Sequence, residues 1–422
     1  MAVPTTPDAA RGAVAAALLT ALLTSFIAAT YGFGIYLFAQ LVPDMRADLG
    51  FDLKAAGLAV ATGQLGFLIF ALGGAWAAAR IGGTQVAIGS VALCAACLLL
   101  VPAAPDVLAL GLLLGILGGL AASVYVPMVE IVSRAIPYRH RGKALGLISS
   151  GTSYGVFVNS LLVPYFVLNN DWRGVWIVVG LGTAALALAG AIAFRRMGLF
   201  AREPAPAPSV VSTLPKAGLR ALLAPWILIV WVVSFLNGVC VLPFQTFLSP
   251  YLREELGYPV AFAASVWGVI GVIGMVSGFV VGWASDRTGV RLALGVTYAC
   301  VLAAAALLAL APSQPSALAA GTLYALAFCP IFGLVPAYVA KTASGAQATL
   351  VFGVANVALG LGGMAGNAAF GALAEAAGGF APIYLAIAAL SAVLALLAAL
   401  LPPEGAPTRT PAPGADAAPC GS

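Results

Sequence analysis

The chain has 422 residues, 62% of them hydrophobic and 8% charged, with a formal net charge of +5 and a mean hydropathy of +1.06. Soluble domains carry about 25% charged residues, so this composition excludes a water-soluble enzyme or binding module. It points to an all-α protein embedded in a lipid bilayer, with no nucleic-acid partner and no cofactor.

A helix that crosses a bilayer needs about 20 apolar residues. Charged or Pro/Gly-rich breaks divide the chain into twelve such stretches, near 14–41, 55–79, 84–104, 107–133, 143–168, 174–195, 225–249, 259–283, 290–311, 316–340, 346–374 and 379–402. The first is too long for a signal peptide and leads into eleven more, so it reads as a retained helix behind a short tail, residues 1–12. Cys94 and Cys97 form a C-x-x-C in the third stretch with no His or charge beside them, and read as two small packed hydrophobes. Cys420 lies in a polar tail. With both termini in the cytoplasm, only Arg46, Lys54, Arg173 and Arg253 of the 19 basic residues fall outside; the other fifteen face the cytoplasm, as the positive-inside rule requires.

Between the sixth and seventh stretches, Pro204-Ala205-Pro206-Ala207-Pro208 marks a stiff extended segment. Residues 196–220 are therefore expected to be a cytoplasmic linker joining two six-helix bundles, 13–195 and 221–402. The tail 403–422, rich in Pro, Ala and Gly, is expected to be disordered.

The two halves share a written repeat. Pro43-Asp44-Met45-Arg46-Ala47-Asp48-Leu49-Gly50-Phe51 returns 207 residues later as Pro250-Tyr251-Leu252-Arg253-Glu254-Glu255-Leu256-Gly257-Tyr258. At the same offset Trp76-Ala77-Ala78-Ala79-Arg80-Ile81-Gly82 returns as Trp283-Ala284-Ser285-Asp286-Arg287-Thr288-Gly289. Six spans is an even number, so both copies enter the membrane with one polarity and are related by a pseudo-two-fold axis along its normal.

Gly282-Trp283-Ala284-Ser285-Asp286-Arg287-Thr288-Gly289-Val290-Arg291 matches Gly-x-x-x-Asp-Arg-x-Gly-x-Arg, a signature loop of the major facilitator superfamily. Arg139-His140-Arg141-Gly142-Lys143-Ala144-Leu145-Gly146 and Asp171-Trp172-Arg173-Gly174 are common in its bacterial members. With the twelve spans, they make the chain resemble that family over residues 13–402. The resemblance implies a secondary transporter in the cytoplasmic membrane, working by alternating access as a monomer on a small-molecule substrate, with a possible coupling proton. It further implies that Asp286 faces the start of the fifth helix near Gly142, where a carboxylate meets orphan N–H groups and a favourable dipole. Such a latch would hold the cytoplasmic side closed, with Gly282, Arg287, Gly289 and Arg291 ordering the loop; the alternative is a plain solvated turn. In the first half only Arg80 and Gly82 survive, with Ala79 in the acidic position, so that latch is expected to be weak or absent. Glu130, near the cytoplasmic end of the fourth helix, has Arg134 one turn on and Arg80 on a neighbouring loop. Structural pairing, a proton-carrying role and simple exposure all remain open for it.

The resemblance places a midplane cavity among helices 1, 4, 7 and 10, flanked by 2, 5, 8 and 11. Polar or aromatic candidates for its lining are Thr30, Tyr31 and Tyr36, Gln64, Tyr125, Tyr154, Asn159, Asn237, Gln245, Trp267, Tyr324 and Asn356. Each could instead bond a neighbouring helix. Pro127, Pro243, Pro330 and Pro336 are expected to bend helices 4, 7 and 10, while small residues such as Gly111 and Gly115, Gly271, Gly274, Gly278 and Gly282, and Gly360, Gly362, Gly363 and Gly366 allow close packing. No Asp, Glu, Lys or Arg falls at the centre of a stretch, and the only His, His140, is in a loop. This favours a neutral, weakly charged or largely apolar solute held by rings and amides. Tyr31-Gly32-Phe33-Gly34 also resembles monocarboxylate carriers, leaving an organic-anion uptake carrier as the alternative. A membrane enzyme is disfavoured because no acid/base pair lies within the bilayer and no P-loop is present; a transporter-like sensor is a more distant alternative.

Overall fold

The structure is a computed structural model and describes residues 6–136, 138–200, 224–343 and 345–404. Most of the segment expected to link the bundles, the charged residues Arg202, Lys216 and Arg220 in it, and Cys420 lie outside the described residues. No strand occurs among those described. Eleven helices are long and apolar enough to cross a membrane: helix 1 Val14–Leu49, helix 2 Leu53–Ile81, helix 3 Gly83–Ala103, helix 4 Val107–Ala135, helix 6 Trp172–Arg196, helix 7 Pro225–Thr246, helix 8 Val260–Thr288, helix 9 Val290–Leu310, helix 10 Gln314–Thr342, helix 11 Gln347–Ala377 and helix 12 Ala381–Leu400. Helix 5, the twelfth, is split at Ser150 into Tyr138–Ser149 and Gly151–Val167. Cys94 and Cys97 are buried free thiols in the first-half core.

Three of the aspartates act as helix caps. Asp52, Asp106 and Asp171 accept backbone N–H bonds at the starts of helices 2, 4 and 6, satisfying donors that have no intrahelical partner. Asp48 and its repeat counterpart Glu255 share another role. Asp48 accepts from Trp172 Nε1 at 3.2 Å and Arg173 at 2.6 Å, at the start of helix 6; Glu255 accepts from the Phe380 N–H at the start of helix 12. The acid of the duplicated run thus anchors the last helix of its own half, twice.

Helix 1 is interrupted. Its α-helix ends at Ile27, a π-helical segment covers Ala28–Phe33, and an α-helix resumes at Tyr36. The cause is close packing on helix 5, since a β-carbon at Gly32 would lie 2.4 Å from the α-carbon of Gly155. Only glycine fits there, and the break leaves backbone carbonyls without helical partners. Asn159 on helix 5 supplies a replacement, its Nδ2 donating to the Gly32 carbonyl at 2.8 Å. At the matching place in the second half, Gly362 on helix 11 abuts the Phe235 carbonyl of helix 7.

The halves meet along helices 2 and 11 and along helices 5 and 8, over only part of their length. At the end carrying Arg46 and Arg253, Gly57 abuts the Asn367 carbonyl and Gly371 abuts Leu53. Further along, Gly363 lies on Gln64 and Gly360 on Leu68. On the other side Gly268, Gly271 and Gly274 contact Ser160, Phe157 and Ser153, whereas Gly278 and Gly282 face open space. The two bundles are a wedge, closed at one end and parted at the other.

Candidate functional site: a wedge-shaped cavity and its two ends

The closed end is zipped by charges that cross between the halves. Arg253 donates to both oxygens of Asp44, at 2.6 and 2.7 Å, and these side chains are only 16% and 15% exposed. Arg46 pairs with Glu254, and the Leu53 N–H donates to Glu375 at 3.2 Å. Charge-assisted bidentate bonds are the strong members of their class. Arg46 and Arg253 are repeat counterparts, but their carboxylates are not: Asp44 corresponds to Tyr251, and Glu254 to Ala47.

The parted end is held differently. Asp286 pairs with Lys341 of the same half at 3.0 Å and is 74% exposed. Arg287 lies over the ring of Trp283 at 3.6 Å, and its counterpart Arg80 over Trp76 at 4.1 Å. Gly82 and Gly289 both adopt φ in the left-handed range, 98° and 91°. The two loops therefore fold alike although one has lost its acid. Glu130 is 48% exposed and lies 3.5 Å from Arg134. Its Oε2 also sits against Gly83, where a β-carbon would come within 2.8 Å of it. The starts of helices 3 and 9 are each held by the chain that follows the last helix of the half: Thr84 donates to the Leu199 carbonyl, and the Arg291 N–H donates to Glu404 at 2.8 Å.

The aromatic and amide candidates separate by what their polar atoms meet. Tyr324 donates to the Val241 carbonyl at 2.7 Å and stacks on Phe244 at 4.1 Å, and Trp267 donates to Ser249 at 2.9 Å, so both are buried framework residues. Asn159 serves the helix 1 break. Gln245 is 1% exposed with neither amide atom partnered, and Thr30 donates back to the Phe26 carbonyl. These residues do not face the opening. Tyr125 and Tyr154 are more exposed, at 48% and 39%, Tyr154 on the same stripe of helix 5 as the exposed Val158, Leu161 and Tyr165. Tyr31 joins Tyr125 and Phe67 in an edge-on aromatic group, with centroids 6.4 and 6.3 Å away. Tyr36 reaches across the halves to Phe328 at 5.7 Å, closing the cavity toward the zipped end. Gln64 lies at the helix 2–helix 11 contact beside Gly363.

Asn237 and Asn356 come together. With Ser234, Phe332, Pro336 and Phe352 they line a small pocket between helices 7, 10 and 11, and none of its lining residues is charged. Reading residue types along the sequence missed Ser234, Phe332 and Phe352 here, because Phe and Ser carry no signal in an apolar helix. It also missed Gln40, buried on helix 1 with Oε1 unpartnered.

A family model described as Major Facilitator Superfamily matches residues 24–356. Among curated relatives, a gallate transporter of Pseudomonas putida is 24% identical over 307 residues, 65% of this chain and 68% of that protein. A probable nitrate/nitrite transporter, NarK2, of Mycobacterium tuberculosis is 26% identical over 257 residues, 59% of this chain and 61% of its own length. Among solved structures, the nucleoside transporter NupG superposes with a TM-score of 0.73 at 16% identity, covering 91% of this chain and 99% of that one. A D-xylose–proton symporter gives 0.69 at 16% identity, covering 92% and 98%. With twelve helices in two bundles, repeated signature loops and a wedge between the halves, the chain belongs to the major facilitator superfamily and is a multi-pass membrane transporter rather than an enzyme.

Proposed function

We propose that the protein moves a small neutral, weakly charged or largely apolar solute across the cytoplasmic membrane by alternating access, with protons as the coupling ion. It acts as a monomer whose bundles, 13–195 and 221–402, rock about the cavity, with linker 196–220 and both termini in the cytoplasm. The observation that carries this is the uncharged lining of the pocket at Asn237 and Asn356, set between a zipped end and a parted end. In this orientation the Asp44–Arg253 end is external, and the structure is the inward-open state. Breaking the external pairs while re-forming a contact from Asp286 to the opposite half would give the outward-open state.

A second reading, an organic-anion carrier, draws on the relatives named for gallate and nitrate/nitrite transport. Flux into proteoliposomes of purified protein, screened with sugars, amino acids, carboxylates and apolar aromatics at two pH values, tests the proposal. Flux of none of these under a proton gradient would sink it; flux of a permanent anion alone would favour the second reading.

A further inference from the structure

The pocket between helices 7, 10 and 11 has one feature that a packing role does not explain. Asn237 is 2% exposed and lines the pocket, yet its Oδ1 has no hydrogen-bond partner. An unpartnered buried polar atom costs about 1–3 kcal/mol, a cost that a water or a ligand group in the pocket would relieve. Asn356 shares the pocket and spends its Nδ2 on the Phe352 carbonyl at 3.1 Å; its own carbonyl oxygen is left to accept. Ser234 likewise gives its hydroxyl proton to the Val230 carbonyl at 2.8 Å, leaving lone pairs toward the pocket. The free valences here are dominated by acceptors, with one carboxamide able to offer a donor beside an acceptor. Phe332 and Phe352 supply ring faces or edges.

We infer that this pocket is a subsite for an uncharged carboxyl or carboxamide group carried on a single ring or short apolar body, so that a carboxylic acid cargo crosses as the neutral acid with its own proton. The inference rests on the transporter reading above. A protonated carboxyl presents O–H beside C=O, and a primary amide presents N–H beside C=O. Either closes a two-bond ring with the Asn237 carboxamide, donor to acceptor and acceptor to donor. A carboxylate presents two acceptors, and one of them would face the Asn237 oxygen and the acceptor-rich wall with no cation to offset the repulsion. The transported proton then needs no carrier side chain. It joins the carboxylate in water on one side and leaves it on the other, so that each cycle moves one anion and one proton together and no net charge.

Benzamide and benzoic acid are the probes. Calorimetric binding to the purified protein is measured from pH 5 to 8 for the wild type, Asn237→Ala and Phe332→Ala. Expected is pH-independent benzamide binding, and benzoate affinity that falls about tenfold per pH unit, since a carboxylic acid titrates near 4. Asn237→Ala should weaken both ligands tenfold or more. Phe332→Ala, at a position 37% exposed and so tolerant of truncation, should weaken both without altering the pH slope. Benzoate binding that is flat or rises with pH overturns the inference, as does Asn237→Ala binding both probes within twofold of wild type in folded protein. Absence of binding by either probe while other solutes are transported overturns the subsite and leaves the transporter reading standing; absence of any flux overturns the reading itself.

Discussion

Replacing Arg253 with Ala should release the closed end. Arg253 and Asp44 are each about 15% exposed and joined by two short bonds. Truncating one partner of a fully buried pair costs about 3–5 kcal/mol because the other charge is stranded. Water reaches this pair in part, so about 2 kcal/mol is the better figure, and it applies only to the state in which the halves touch. In the opened state both groups are hydrated and the truncation costs almost nothing. At 1.4 kcal/mol per factor of ten, the ratio of externally open to externally closed protein should rise roughly 30-fold. Arg46→Ala, which breaks a more exposed pair, should give less, about 1 kcal/mol or fivefold. Spin labels at Lys54→Cys and Ala376→Cys, exposed positions on opposite halves beside the Leu53–Glu375 contact, would report a longer distance population in Arg253→Ala. The charge swap Asp44→Arg with Arg253→Asp should restore the short one. An unchanged distance distribution in folded Arg253→Ala protein would refute the reasoning, as would a swap that restores nothing.

Three further outcomes follow from the same geometry. Asp286→Ala should leave the melting temperature within about 2 °C, because an ion pair this exposed contributes under about 1 kcal/mol, while slowing transport and raising cytoplasmic-side cysteine accessibility; unchanged transport and accessibility would remove the latch. Glu130→Gln should leave the pH dependence of transport unaltered, since the carboxylate is half exposed and paired with Arg134; proton-flux measurements decide. Gly32→Ala should destabilise the protein by about 1–3 kcal/mol, the usual cost of forcing a methyl into a tight backbone contact, seen as a lower unfolding temperature in detergent, and no shift would contradict the packing found between helices 1 and 5.

How much of this was readable in the chain depended on the kind of signal. The spans were legible because each needs its own apolar run, and the repeat was legible because Gly50 and Gly257, and Gly82 and Gly289, hold backbone conformations that favour glycine. The breaks in helices 1 and 5 were not, since a Gly in an apolar run reads the same whether it packs or bends. The Asp44–Arg253 pair was hidden for a different reason. The duplication aligns Arg46 with Arg253 but sets the acids at unmatched positions, so the repeat gives no hint of which carboxylate crosses. The candidate site was half legible. Helices apolar on all sides carry no polar stripe to reveal which face turns inward. Tyr324 and Trp267 therefore looked like Tyr125 and Tyr154 until their hydroxyl and indole hydrogens were seen to be spent on Val241 and Ser249.

The charged zipper at one end has a kinetic consequence. Each return of the empty carrier must pull Arg253 from Asp44 and Arg46 from Glu254 with nothing in the cavity to offset the loss, whereas the loaded carrier has the free energy of its cargo to set against the same separation. Swapping labelled for unlabelled solute across the membrane needs only the loaded crossing, in both directions. Exchange should therefore outrun net accumulation, and the gap between the two rates measures what those ion pairs withhold from the empty protein.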